Sequence, residues 1–265
     1  MNSMSKPVEV DLNSDMGEGF GAYRMGDDEA ILNIVTSANV ACGQHAGDPE
    51  IMARTFALAN ARGVAVGAHP GFPDLWGFGR RIIPFSTGEI ERLIAYQIGA
   101  AEALARYAGH RITYVKAHGA LGNLTQADVD VAKAIARAIK AVNPALICMT
   151  FSGAVMQRVC GEMGLEVRSE VFADRAYDDE GHLVPRKVPG SVLHDADEAA
   201  ARMLRMVREG AIETLSGRML KVPIDTICVH SDTPGAIEMA AKVRRTLEDA
   251  GVVIKSFSQG RVNES

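Results

Sequence analysis

VEVDLNSD, residues 8–15, is an apolar run that turns polar at its far end, and the pattern recurs along the chain. It returns in ANVACGQHAGD (38–48), VAVGAHPG (64–71), TYVKAHGA (113–120), SEVFADRA (169–176) and TICVHSD (226–232). Charge is costly to bury unless it is paired or used. Six strands that end this way predict one shared pocket at the carboxyl edge of a parallel sheet, where α/β folds place their chemistry. Strand side chains alternate faces with a period of two. Val8, Val10 and Leu12 therefore share one face, and Asp11, Asn13 and Asp15 the other. In a barrel the apolar set lies under helices and the polar set points inward. The same alternation pairs Lys116 with His118, Glu170 with Asp174, and Cys228 with His230 and Asp232. His45 and His69 fall at or just beyond strand ends, whereas His110, His182 and His194 fall in connections and are expected to be solvated.

Strand patterns at 8–13, 38–42, 64–68, 113–117, 145–151, 166–173 and 225–230 alternate with helical patterns, the signature of repeated βα units. The helices are expected over 48–62, 87–107, 126–141, 153–163, 196–209 and 234–249. Asp48 and Pro49 open the first, Ser86 and Glu89 form a capping box before the second, and Thr125 precedes the third. Seven strands of this kind fit a barrel or a doubly wound sheet. No linker or low-complexity stretch interrupts them, so one domain is expected over 1–265. The stretch YDDEGHLVPRKVPGSVLHD (177–195) exceeds an ordinary βα loop. It reads as a lid-like insertion near 176–194 or as a surface hairpin.

Composition narrows the function. With 28 Lys and Arg against 33 Asp and Glu, the net charge is −5. That excludes a backbone binder of nucleic acid, which needs a basic stripe. No apolar run approaches the ~18–20 residues of a membrane span, and the start lacks the apolar segment of a signal peptide. Cys42, Cys148, Cys160 and Cys228 form no CxxC pair, which favours a reduced, cytoplasmic setting. Cys42 falls on the helix-facing side of its strand and reads as a small core residue rather than a nucleophile. No phosphate loop and no dinucleotide fingerprint occurs.

Two further constellations stand out. In HPGFPDLWGFGRR (69–81), Arg80 and Arg81 are placed to clamp a carboxylate or phosphate, with Trp76 and Phe78 as a rigid wall. Arg175 is a second anion ligand or the partner of Asp174. Asp15, His45 and His69 offer an Asp/His/His set suited to a divalent ion. The same groups also serve as acids and bases without one.

Together these motifs resemble the LamB/YcsF family. The matching stretches are VDLNSDMGEGFG (10–21), SANVACGQHAGDP (37–49), GAHPGFPDLWGFGRR (67–81), YQIGA (96–100), VKAHGALGN (115–123), EVFADRAYDDEGHLVPR (170–186) and CVHSDTPGA (228–236). The chain departs from the family pattern at Gln44, usually aromatic, Ala117, usually proline, Gly122, usually tyrosine, and Ser231, usually glycine. Ala117 and Gly122 flank His118 and are expected to leave room in the pocket.

The resemblance implies a seven-stranded, TIM-like barrel of the glycoside hydrolase and deacetylase type. It implies hydrolysis of 5-oxoproline to glutamate, coupled to ATP hydrolysis, in a complex with subunits B and C. On that basis Asp11 or Asp15 is the expected general base, and Lys116 and His118 stabilise developing negative charge. His230 with Asp232 protonates the departing ring nitrogen. Asn13, His45, His69, Arg80, Arg81, Glu170, Asp174 and Arg175 bind substrate. ATP is expected to bind with the partner subunits. The competing readings are a metal-dependent amidohydrolase or deacetylase acting alone, and a non-catalytic carrier of the lactam.

Overall fold

The computed structural model describes residues 7–230 and 235–258. Seven parallel strands run in the order β1 (Glu9–Met16), β2 (Ser37–Ala41), β3 (Ala65–His69), β4 (Ile112–Lys116), β5 (Ile147–Phe151), β6 (Val167–Phe172) and β9 (Thr226–Cys228). β9 also pairs with β1, so the sheet closes into a barrel. A strand in such a barrel is covered on both faces, which is why these segments read as nearly continuous apolar runs. Every residue of β2, β3 and β4 is buried.

In β1 the alternation sorts the two faces as expected. Val10 and Leu12 join the apolar layer beneath the helices. Asp11, Asn13 and Asp15, also buried, belong to the polar interior.

The outer layer holds α2 (Pro49–Ala61), α3 (Thr87–Tyr107), α5 (Val129–Val142), α6 (Val155–Glu162), α7 (Ala196–Glu209) and α8 (Ala236–Asp249). Asp48 caps α2 by accepting from the amides of Glu50 and Ile51. Ser86 and Glu89 complete the capping box of α3. The third expected helix starts later than the pattern suggests. Asp128 caps α5, whereas the Thr125 hydroxyl turns back to the carbonyl of Gly122 at 2.6 Å. A short helix α4 (Gly119–Leu124) occupies the preceding turn.

Three small elements carried too few residues to show a period: α1 (Asp28–Ile31), the antiparallel hairpin β7 (Ala211–Glu213) and β8 (Met219–Lys221), and β10 (Val253–Ile254), which pairs with the start of β1. His110 corrects another expectation. It is buried, and its Nε2 donates to the carbonyl of Val64 at 2.9 Å.

The amino-terminal end of the barrel is plugged. The Phe257 ring packs on Tyr114 at 5.2 Å between centroids, and Ser258 accepts from the Thr113 hydroxyl at 2.9 Å. Tyr114 lies across the interior only because residue 67 is glycine. A Cβ there would sit 2.2 Å from the tyrosine ring. With one end filled, access is from the carboxyl edge.

The 177–195 stretch is strapped to that edge. Tyr177 pairs with Leu183, and Arg175 with Val192. None of the helices among the described residues is long and apolar enough to cross a membrane.

Candidate active site

β1 supplies a column of three polar side chains at rising height. Asp11, the lowest, accepts from the hydroxyls of Thr36 and Ser37, each at 2.6 Å, and from Thr226. Burial pushes its carboxyl up to about 6 despite those donors. It is fully buried at the foot of the column. Asn13, in the middle, donates to Thr226 at 2.7 Å and accepts from Asn39 at 2.7 Å.

Asp15, at the top, meets Lys116 at 2.9 Å, and Lys116 also meets Glu170 at 2.7 Å. The Lys116 side chain is only 4% exposed and that of Glu170 is fully buried. Burial opposes the lysine charge, but Asp15, Cys228 and Glu170 hold it protonated, well above the ordinary lysine range. Burial likewise opposes the Asp15 charge, and His69 and Lys116 reverse this, keeping the carboxyl well below 3.8. Glu170 is raised, because burial outweighs the pull of Lys116.

Beside this column three imidazoles pack together. His45 stacks on His118 with centroids 3.7 Å apart and planes 5° from parallel, and His69 stands edge-on to both. Nδ1 of His118 lies 2.9 Å from Nε2 of His69, which is 3.4 Å from Asp15. The remaining nitrogens of that pair face backbone carbonyls, His69 Nδ1 to Lys116 and His118 Nε2 to Phe78, at 2.9 and 2.8 Å. Burial and the neighbouring His69 push His118 down to about 3, and burial with His118 and His69 lowers His45 as well.

The loop above is built to lie close. Phe78 has φ 53°, a region a bulky residue enters only under constraint, and this turn aims its carbonyl at His118. A Cβ at Gly79 would fall 2.7 Å from that of His45, and one at Gly71 2.6 Å from its Nδ1.

The expected metal set of Asp15, His45 and His69 is rearranged. His45, His69 and His118 group instead with Glu18, their ligand atoms within 4.8 Å of one another. Asp15 falls in a second such group with Cys228 and His230, and the exposed side chains of Asp178, Glu180 and His182 form a third.

Other expectations need correction at the rim. His230 pairs with Asp174 at 2.8 Å, and burial of the ring is outweighed by that carboxylate, which raises the imidazole. Asp232, its expected partner, lies outside the described residues. Arg81 turns outward to Asp74, with its side chain 65% exposed, so it makes no clamp with Arg80. Arg80 stacks 5.0 Å over Phe78, and its charge is felt at His45, His118 and Arg175.

Arg175 spends its guanidinium on backbone carbonyls, and Asp174, whose charge it feels, takes His230 as its hydrogen-bonded partner. The guanidinium donates to the carbonyls of Val184 at 2.6 Å and Ser191 at 3.4 Å. Burial lowers it to about 10. Trp76 is 97% exposed and walls nothing. The Ala117 and Gly122 departures open no room. A Cβ at Gly122 would meet the Ala117 carbonyl at 2.6 Å, and the cavity they line measures about 10 Å³.

Cys42 is buried as expected, its thiol pushed up to about 12 by desolvation. Asn39, Tyr114, Thr226 and Glu18 join the site unforeseen. Asn39 had a signal, since it shares a face of β2 with Ser37, opposite Ala38 and Val40.

Fold and site define a closed parallel (β/α) barrel with an acid, base and imidazole pocket at its carboxyl edge. The chain belongs to the LamB/YcsF family, whose profile matches residues 10–262. It is 61% identical over 249 residues to the A subunit of 5-oxoprolinase from Gluconobacter oxydans, covering 94% of this chain and 98% of that one. It is 57% identical to the protein of the same name in Azorhizobium caulinodans, with the same coverage. Among solved structures, the lactam utilization protein of Thermus thermophilus matches with a TM-score of 0.89 at 46% identity, over 94% of this chain and all of that one.

Proposed function

We propose that this chain is the hydrolytic component of an ATP-dependent 5-oxoprolinase in the cytoplasm. It works with partner subunits B and C and cleaves the lactam of 5-oxoproline to L-glutamate. The observation that carries this reading is the Asp15–Lys116–Glu170 chain beside His118 and the His230–Asp174 pair, in a barrel whose relatives bear that name. ATP acts with the partners, because this sequence has no phosphate loop.

A lactam is a resonance-stabilised amide, so its carbonyl must be activated before water attacks. Asp15 is the carboxylate of β1 nearest the mouth, and it stays ionised as the proton acceptor for that water. Lys116 and His118 face the developing negative charge. The carbon–nitrogen bond then breaks as His230, held by Asp174, gives its proton to the ring nitrogen. Arg80, at the rim, attracts the substrate carboxylate. The 177–195 insertion acts as the lid.

The test mixes this chain with partner subunits, ATP and 5-oxoproline and follows glutamate. Asp15→Ala and His118→Ala are each expected to lower turnover at least about a hundredfold. If both stay within about threefold of the parent, under 1 kcal/mol, the assignment is wrong and the carrier reading takes its place. A second reading, a metal-dependent amidohydrolase acting alone, is favoured by the histidine cluster. It requires turnover without ATP or partners that chelators abolish.

A further inference from the structure

We infer that Arg186, carried by the 177–195 insertion, binds the carboxylate of the substrate, so that the site selects lactams with an acid group beside the ring nitrogen. The inference rests on the lactam reading and adds the residue that reads the substrate's charge.

The backbone places Arg186 at the mouth. Two contacts lay the insertion along the end of β6: the Val184 amide donates to the Ala176 carbonyl at 3.0 Å and the Leu193 amide to that of Asp174 at 2.9 Å. The Arg175 guanidinium holds the Val184 carbonyl at 2.6 Å. One residue on, the Val188 amide closes a turn onto the Pro185 carbonyl at 2.9 Å, with Arg186 and Lys187 at its corners. Lys187 is exposed, whereas Arg186 is half-buried. Its charge reaches Asp174, Arg175 and His230, which lie beneath the insertion.

The charges there do not balance. Arg175, Arg186 and the raised His230 share one carboxylate, Asp174, and both of its oxygens lie 2.8 Å from His230. Asp15 is the other carboxylate whose charge reaches His230, and Lys116 holds it at 2.9 Å. Arg175 is taken by backbone carbonyls. Among the described residues, no hydrogen bond or ion pair involves Arg186. Like charges gathered at a partly buried site are costly unless an anion joins them. A guanidinium takes a carboxylate in two parallel hydrogen bonds.

Substrate chemistry says which anion. In 5-oxoproline the carboxylate sits on the carbon bonded to the ring nitrogen, and the carbonyl is on the nitrogen's other side. A ring with its carbonyl toward Lys116 and His118 and its nitrogen toward His230 therefore carries its carboxylate past His230, on the side that Arg186 covers. Arg80 acts on the carbonyl side, since its charge is felt at His45 and His118. It draws the anion to the mouth, and Arg186 seats it.

The experiment titrates the full-length chain by calorimetry with 5-oxoproline and with 2-pyrrolidinone, the same ring without the acid. Turnover is followed with partner subunits and ATP, the neutral lactam serving as competitor. Arg186→Gln should weaken 5-oxoproline binding and raise its KM about ten- to a hundredfold, with kcat within about threefold and circular dichroism unchanged. Arg186→Lys should recover part of the loss. The neutral lactam should bind parent and Arg186→Gln alike, and Lys187→Gln should match the parent throughout. An equal loss for both lactams would mean that Arg186 only shapes the loop and would overturn the inference. So would an unchanged KM, or a fall in kcat alone. The binding arm decides the arginine even where turnover fails. A parent that neither binds 5-oxoproline nor releases glutamate sinks the lactam reading and this inference with it. A parent that does both, matched by Arg186→Gln, removes the arginine alone.

Discussion

At the scale of single residues, the His230–Asp174 pair sets a pH window. The imidazole is raised above its ordinary 6.5, so its contribution is complete below 6.5 and fades as pH climbs through the folded value. The carboxyl is lowered from 3.8: burial opposes this, but the His230 charge and hydrogen bond outweigh it. Its contribution is complete above 3.8 and is lost as pH falls through the folded value. The pair therefore stabilises most between about 3.8 and 6.5. Asp174→Asn is expected to cost about 1.5–3 kcal/mol in that interval and less above it. Urea denaturation across pH measures the difference, and a flat loss at all pH values would contradict the pairing. The participation of His230 was legible from its strand-end position. Its partner was not, because Asp174 is 56 residues away and Asp232 is two.

At the scale of elements, the long stretch after β6 is held by side chains bonded to its backbone rather than by a regular ladder. Arg175 binds the carbonyls of Val184 and Ser191, and Arg202 on α7 binds the Arg175 carbonyl at 2.8 Å. Arg175→Ala removes the first two bonds and takes from the buried Val184 carbonyl its guanidinium donor, while that of Ser191 still accepts from the Ala176 amide at 3.0 Å. Limited proteolysis and hydrogen exchange should then speed up within 177–195 while the barrel strands stay protected. Under the lid proposal KM for the lactam also rises. Unchanged exchange in the insertion would show that other contacts hold it. The sequence marked this stretch by its length alone, since bonds from a guanidinium to distant carbonyls leave no periodic trace. Helix starts were more legible. Asp48 and Ser86 were readable because a cap acts within three residues. Thr125 misled because Asp128, three positions later, is the better acceptor for the first turn.

At the scale of the whole molecule, closure of the barrel and its plug direct all access to one end. Phe257 fills the amino-terminal end against Tyr114. Phe257→Ala is expected to lower stability by about 2 kcal/mol, less than a fully buried phenylalanine because this one is half-buried. It should have little effect on turnover at the far edge. Thermal melting with a turnover assay checks both, and lowered turnover in the folded variant would mean the plug also shapes the upper site.

The sequence by itself determined the seven strands, the face each strand residue takes and the polar residues at the strand ends. Those properties follow from a two-residue repeat and from caps that act within one turn. Only the tertiary structure decided which of those residues meet. Lys116 reaches Asp15 across 101 positions and His118 reaches His69 across 49, while Arg81 is taken by Asp74. Such contacts depend on the order and stagger in which strands close the barrel, and no local pattern encodes either.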